Sequence, residues 1–194
     1  VKTASVVHPE IKAFAANLHP RDDKMHVLVN AMGAAEYYGQ NINHDLFDEH
    51  NRWADSKDPL VKRAHRCLIN DDINWGYKTF EKFAHAYQHH ANKDPEKAYG
   101  MVKLAVWNDR MKRVELIIEI DREKAANVGA QTLVDRLDAG EHPDWSMGCK
   151  VPWDRCTYCG DGPETYDRMR EALRDHPQHP PGTAIKLAHR ANPI

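Results

Sequence analysis

Long apolar runs are missing from this 194-residue chain. No stretch approaches the roughly 18–20 residues that a helix needs to cross a bilayer, and no signal-peptide core is visible. Charge of one sign is missing as well. With 27 Lys and Arg against 29 Asp and Glu, the net charge is −2, so no whole-chain basic field draws nucleic acid. Acids and bases are interspersed, as on a solvated surface. Cysteine is scarce: of four, three crowd at 149, 156 and 159. That pattern is unlike a secreted disulfide scaffold and points to a reducing cytosol. There is no Gly-x-Ser-x-Gly elbow, no His-Glu-x-x-His zinc helix and no phosphate-binding glycine loop. The length suits one ordinary domain with a real core.

What is present reads as α+β. A polar stretch at the start carries one short helix, residues 9–18, with Ile11, Phe14, Ala15 and Leu18 at helical spacing. Residues 26–32 read as a strand, and 39–45 as turn chemistry. Residues 46–75 are mixed and weakly helical. Residues 78–89, with Thr79, Phe80, Phe83, Ala84 and Tyr87, fit a helix or an aromatic strand equally. Two β-rich runs, 99–107 and 112–120, flank a polar turn at Asn108, Asp109 and Arg110 and predict an antiparallel hairpin. A single helix is expected over 122–137, its apolar stripe running from Ala125 to Leu137, with Gly140 placed to end it. A short strand over 145–151 would carry Ser146. Beyond it lie a cysteine-rich loop, a last helix near 164–175, and a tail after His176 too rich in proline for regular structure. The expected architecture is one mainly antiparallel sheet or barrel with helices packed outside.

Ser146, in the run Asp144-Trp145-Ser146-Met147-Gly148-Cys149, is the candidate nucleophile. A serine hydroxyl is a poor nucleophile at neutral pH and needs a base within hydrogen-bond reach, most often a histidine on another segment. The pair His89-His90 supplies one. Gly148 lets backbone come close, and N–H groups there would hold a tetrahedral oxyanion. Trp145 either shapes a substrate pocket or anchors its strand. The bland alternative, in a chain with 13 histidines, is a strand serine and a surface histidine.

Four segments in order resemble the capsid-maturation (prohead) protease of tailed bacteriophages, which is related to herpesvirus assemblin. Gly39 to Phe47 is similar to the family's Asn-x-Asn-Gly-Asp-x-Phe run, with His44 where glycine is usual. Phe83 to Gly100 resembles its His-x-Asn-x-Asp-Pro…Gly stretch. Val114 to Gly140 matches the strand, helix and glycine before the nucleophile, and Trp145 to Pro152 the nucleophile strand. The resemblance covers roughly residues 26–165 and implies an assemblin-type barrel. It divides the chain into a polar arm (1–25), a protease-like core (26–155), and a knuckle, helix and proline-rich tail (156–194). It also implies a serine endopeptidase with Ser146 as nucleophile and His90 as general base, needing no cofactor for catalysis. Its substrates would be scaffolding and major capsid proteins inside the assembling prohead, in the host cytoplasm. A homodimer is open, and neither membrane nor nucleic acid is an expected partner. The third catalytic member stays open among Asp154, Asp161, Glu164, Asp167, His176, His89 and upstream acids. Two other functions stand beside it: an inactive structural capsid protein on the same fold, and a zinc-stabilised binding module.

Cys156-Thr157-Tyr158-Cys159-Gly160 is a Cys-x-x-Cys knuckle, a shape in which two thiolates grip one zinc ion. His176, His179 or Cys149 would complete a structural site. The alternative is a pair of reduced or redox-active thiols. A metal-enzyme reading needs residues 80–89 to be helical, which would place His85 and His89 as i,i+4 neighbours. Cys67 reads as a small buried apolar residue. The basic run 62–66 reads as a solvated helix face. The five tryptophans read as packing for the core and its rim.

Overall fold

The computed structural model describes residues 7–39, 45–50, 57, 68–69, 76–91, 94–146, 148–150, 154–155, 186–188 and 192–193. Cys67, the 62–66 run, Cys156, Cys159, His176, His179 and the expected helix at 164–175 lie outside them, and of His90 and Cys149 only the backbone is described. In chain order the elements are α1 (Pro9–Ala16), β1 (Lys24–Gly33), α2 (Ala35–Tyr38), β2 (Asp45–Leu46), α3 (Thr79–Phe83), β3 (His85–Ala86), β4 (Gly100–Asn108), β5 (Arg113–Asp121), α4 (Arg122–Asn127), α5 (Gln131–Asp138), β6 (Cys149–Lys150), β7 (Asp154–Arg155), β8 (Lys186–Ala188) and β9 (Asn192–Pro193). Short 3-10 turns occupy Gln88–His90 and Pro95–Lys97. The chain forms two compact units, residues 1–32, 78–148 and 193–194 in one, and 33–77 and 149–192 in the other.

The first unit is built on a curled antiparallel sheet of four strands in the order β1-β5-β4-β3. The expected hairpin is its centre. Gly100 pairs with Ile120 and Asn108 with Arg113. At the turn, the Met111 amide donates to Asn108 O and Oδ1, each at 3.1 Å, and Lys112 takes φ +51°, the left-handed region. A bulge between Val102 and Leu104 resets the alternation of side chains. Cross-strand partners share a face, so Leu104 and Ile117 lie with Val106 on one side, where Ile11 and Phe14 of α1 cover them. Val102, Leu116, Ile118 and Ile120 are all buried and lie on the other side.

Long-range polar contacts set the strand order. Lys24 pairs with Asp121, and His26 Nε2 meets Glu119 Oε2 at 3.2 Å, which aligns β1 with the far end of β5. Gly100 sits where strands crowd: a Cβ there would fall 2.8 Å from Glu119 O and 3.1 Å from Ala86 Cβ. Inside the hairpin, buried Glu115 accepts from Asn108 Nδ2 at 3.0 Å and from Arg113 Nη2 at 2.8 Å, all on Oε1.

Several expectations are corrected. The 122–137 helix is two: α4 ends at Asn127 and α5 starts at Gln131, with Gly129 at φ +81° between them. Arg122 holds the pair together by donating to both carboxylate oxygens of Asp138 at 2.6 and 2.7 Å. Gly140 does end the second helix, donating to Leu137 O at 3.0 Å while Glu141 donates to Arg136 O at 2.9 Å. Residues 78–89 are neither one helix nor one strand, because α3 stops at Phe83 and the chain turns extended to pair β3 with β4. That removes the i,i+4 geometry from His85 and His89. Ser146 lies in a segment without regular structure, and the strand begins only at Cys149. The tail is not devoid of strand either: β8 pairs parallel to β2 and antiparallel to β7 within the second unit. No helix among the described residues is long and apolar enough to cross a membrane.

Candidate active site

The face of the sheet that carries Val102, Leu116 and Ile118 borders an open pocket of about 90 Å3. Every strand of the sheet contributes to its wall: Val29 and Ala31 from β1, Leu116 and Ile118 from β5, Val102 from β4 and Ala86 from β3. Trp145, Ser146 and Gly148 line the same pocket. Ser146 is exposed, so its hydroxyl is open to solvent and to a substrate.

A second pocket, of about 380 Å3, shares Trp145, Ser146 and Gly148 with the first. Its other walls are His85, Tyr87, Gln88 and His89 from the segment after α3, Leu133 from α5, and Asp144. Ser146 therefore stands at the junction of two hollows. The turn Gln88–His90 borders the larger one through Gln88 and His89. His89 takes φ +50°, a backbone state that costs a non-glycine side chain on the order of 1 kcal/mol. The helix break helps to seat this turn. A Cβ on Gly129 would lie 3.5 Å from Gln88 Oε1, so the break brings backbone against the Gln88 side chain.

Sequence reasoning weighed His85 only as a metal ligand. It lines both pockets with Ser146, and its Nδ1 lies 3.0 Å from Phe83 O. A carbonyl oxygen only accepts, so Nδ1 is the donor in that contact and Nε2 is the ring nitrogen left for another partner. The end of α3 at Phe83 turns the next residues extended and puts His85 opposite Met101, a pairing that no local sequence pattern signals. Trp145, Ser146 and Gly148 line both pockets. His90 belongs to the bordering turn through its backbone. The knuckle cysteines and His176 lie outside the described residues. Among the described residues, no group of three or more His, Cys, Asp or Glu side chains is placed to hold a metal ion.

Two carboxylates of the same unit, outside both pockets, are paired with basic side chains. The Asp121 carboxyl is held below its ordinary range by the Lys124 amide first and by Lys24 second. Asp138 is held down by its hydrogen bonds from Arg122. Burial pushes the Tyr99 phenol, which lines the larger pocket, upward, so it stays neutral and able to donate. Compared with protein-family models, curated proteins and solved structures, the chain matches none.

Proposed function

We propose that this chain is a serine endopeptidase of the prohead-maturation type, with Ser146 as nucleophile and His90 as general base. The observation that carries the proposal is that Ser146 borders one pocket with Gln88 and His89, the first two residues of the turn whose third is His90. An exposed hydroxyl, a segment rich in imidazole and a glycine two residues on are the parts that acyl transfer needs. His90 accepts the Ser146 proton as Oγ bonds to the scissile carbonyl carbon. The C–N bond then breaks, the leaving amine takes that proton, and water releases the acyl group by the reverse route. Backbone N–H groups near Gly148 serve the oxyanion. On this reading the four-stranded sheet is half of an assemblin-type barrel. The substrates are scaffolding and capsid-protein segments inside the assembling head, with any zinc at Cys156, Cys159 and His176 structural.

The test is mass spectrometry after treatment with a small alkyl fluorophosphonate. A single adduct on Ser146, lost in both Ser146→Ala and His90→Ala, is the expected result. No adduct on folded wild-type protein would turn the reading to an inactive structural capsid protein on the same fold.

A further inference from the structure

We propose that the pocket on the Val102, Leu116 and Ile118 face of the sheet is the side-chain subsite of the Ser146 centre. It takes one short branched aliphatic side chain, valine or leucine, from the residue that supplies the scissile carbonyl of an extended polypeptide. The inference rests on the serine-endopeptidase reading and names the substrate that reading leaves open.

The wall chemistry is the first ground. Val29, Phe80, Val102, Leu116 and Ile118 line the pocket and are buried, Asn30, His85, Tyr87 and Ser146 line it too, and among the described lining residues none is Lys, Arg, Asp or Glu. A charged substrate side chain placed against those five apolar residues would lose its water and find no carboxylate, ammonium or guanidinium among the described lining residues, which is costly. An aliphatic one would trade water for close apolar contact, which is favourable in proportion to the area covered.

Size is the second ground. The space is about 90 Å3, smaller than the roughly 150 Å3 cavity that admits benzene. It suits an isopropyl or isobutyl group better than an aromatic ring. Position is the third. Ser146, Trp145 and His85 lie on the lining, so a side chain seated inside brings its own carbonyl to the nucleophile. The larger hollow of about 380 Å3 shares Ser146 and leaves room for the rest of the chain.

Peptidyl phosphonate probes that differ only in the side chain next to phosphorus test this, read as the rate of adduct formation on Ser146 in the intact chain. Leu and Val probes are expected to react about tenfold or more faster than Ala, Phe or Lys probes, since one methylene in an apolar pocket commonly gives 10–200-fold. Ala31→Leu fills the pocket and should remove the preference for Leu over Ala. Val102→Ala enlarges it and should admit the Phe probe, which keeps the test decisive if the first variant does not fold. Equal rates for all probes, with the simple fluorophosphonate still labelling Ser146, would overturn the subsite and spare the protease. Absence of any Ser146 adduct with either reagent would overturn both.

Discussion

Glu81 Oε1 accepts the backbone amide of Ala105 at 2.8 Å, while Lys78 Nζ donates to Ala105 O at the same distance. Two side chains of the α3 region thus hydrogen-bond β4 as a neighbouring strand would, just past the point where the pairing with β3 stops. The pair also bridges itself at 3.1 Å. An edge that would otherwise offer bare backbone groups is occupied.

Removing that acceptor should be felt. Glu81→Ala is expected to lower stability by about 1–3 kcal/mol, the cost of stranding a partly buried amide. Glu81→Gln keeps a carbonyl oxygen and should recover most of the loss. Urea unfolding of the two variants beside wild type decides it; equal stability of all three would show that the edge bond is replaced by water.

Gly100→Ala should destabilise more than its small size suggests. The added Cβ meets a backbone oxygen and Ala86 within about 3 Å, and neither is the end of a flexible chain. Separating β3 from β5 to make room disturbs the strand that carries His85. Thermal melting should fall by several degrees, and probe labelling of Ser146 should slow with it. An unchanged melting curve would mean that the strands shift freely.

Glu115→Ala leaves Arg113 and Asn108 facing a buried gap where an anion stood. Losing one partner of such a buried pair typically costs about 3–5 kcal/mol. Denaturant titration should place this variant among the least stable single substitutions in the hairpin, well below Arg110→Ala at the exposed turn.

Acid should weaken the fold through carboxylates whose folded values are depressed. Asp121 and Asp138 both sit below their ordinary values. Their contribution is present above the unfolded value of about 3.9 and is lost as pH falls through the folded values. Unfolding free energy measured from pH 6 down to 2.5 should drop below about pH 4, and Asp121→Asn should flatten part of that slope. A parallel profile for the variant would remove Asp121 from the account.

The two imidazole positions separate by substitution. On the proposed mechanism His90→Ala abolishes Ser146 labelling, whereas His85→Gln slows it without abolishing it, because His85 lines the pocket rather than taking the proton. The reverse ranking would hand the proton to His85 Nε2.

The hairpin was legible because its information is local: alternating β-branched runs and a short polar turn settle the pairing of Gly100–Asn108 with Arg113–Asp121. The stop at Gly140 was legible for the same reason, since a left-handed residue after an apolar stripe is a local signal. Trp145, Ser146 and Gly148 were identifiable as a group because they are neighbours in the chain. Tertiary structure alone decided the rest. Residues 79–86 carry apolar spacing that suits helix or strand, and the free edge of β4 made the second half a strand. Ala125 to Leu137 reads as one continuous stripe, yet the chain breaks at Gly129, where backbone meets Gln88. His85 joined Ser146 on one pocket wall through pairing with Met101, a partner that periodicity cannot see. Short-range patterns record what a segment prefers by itself; contacts between distant segments choose among preferences that are nearly equal in energy.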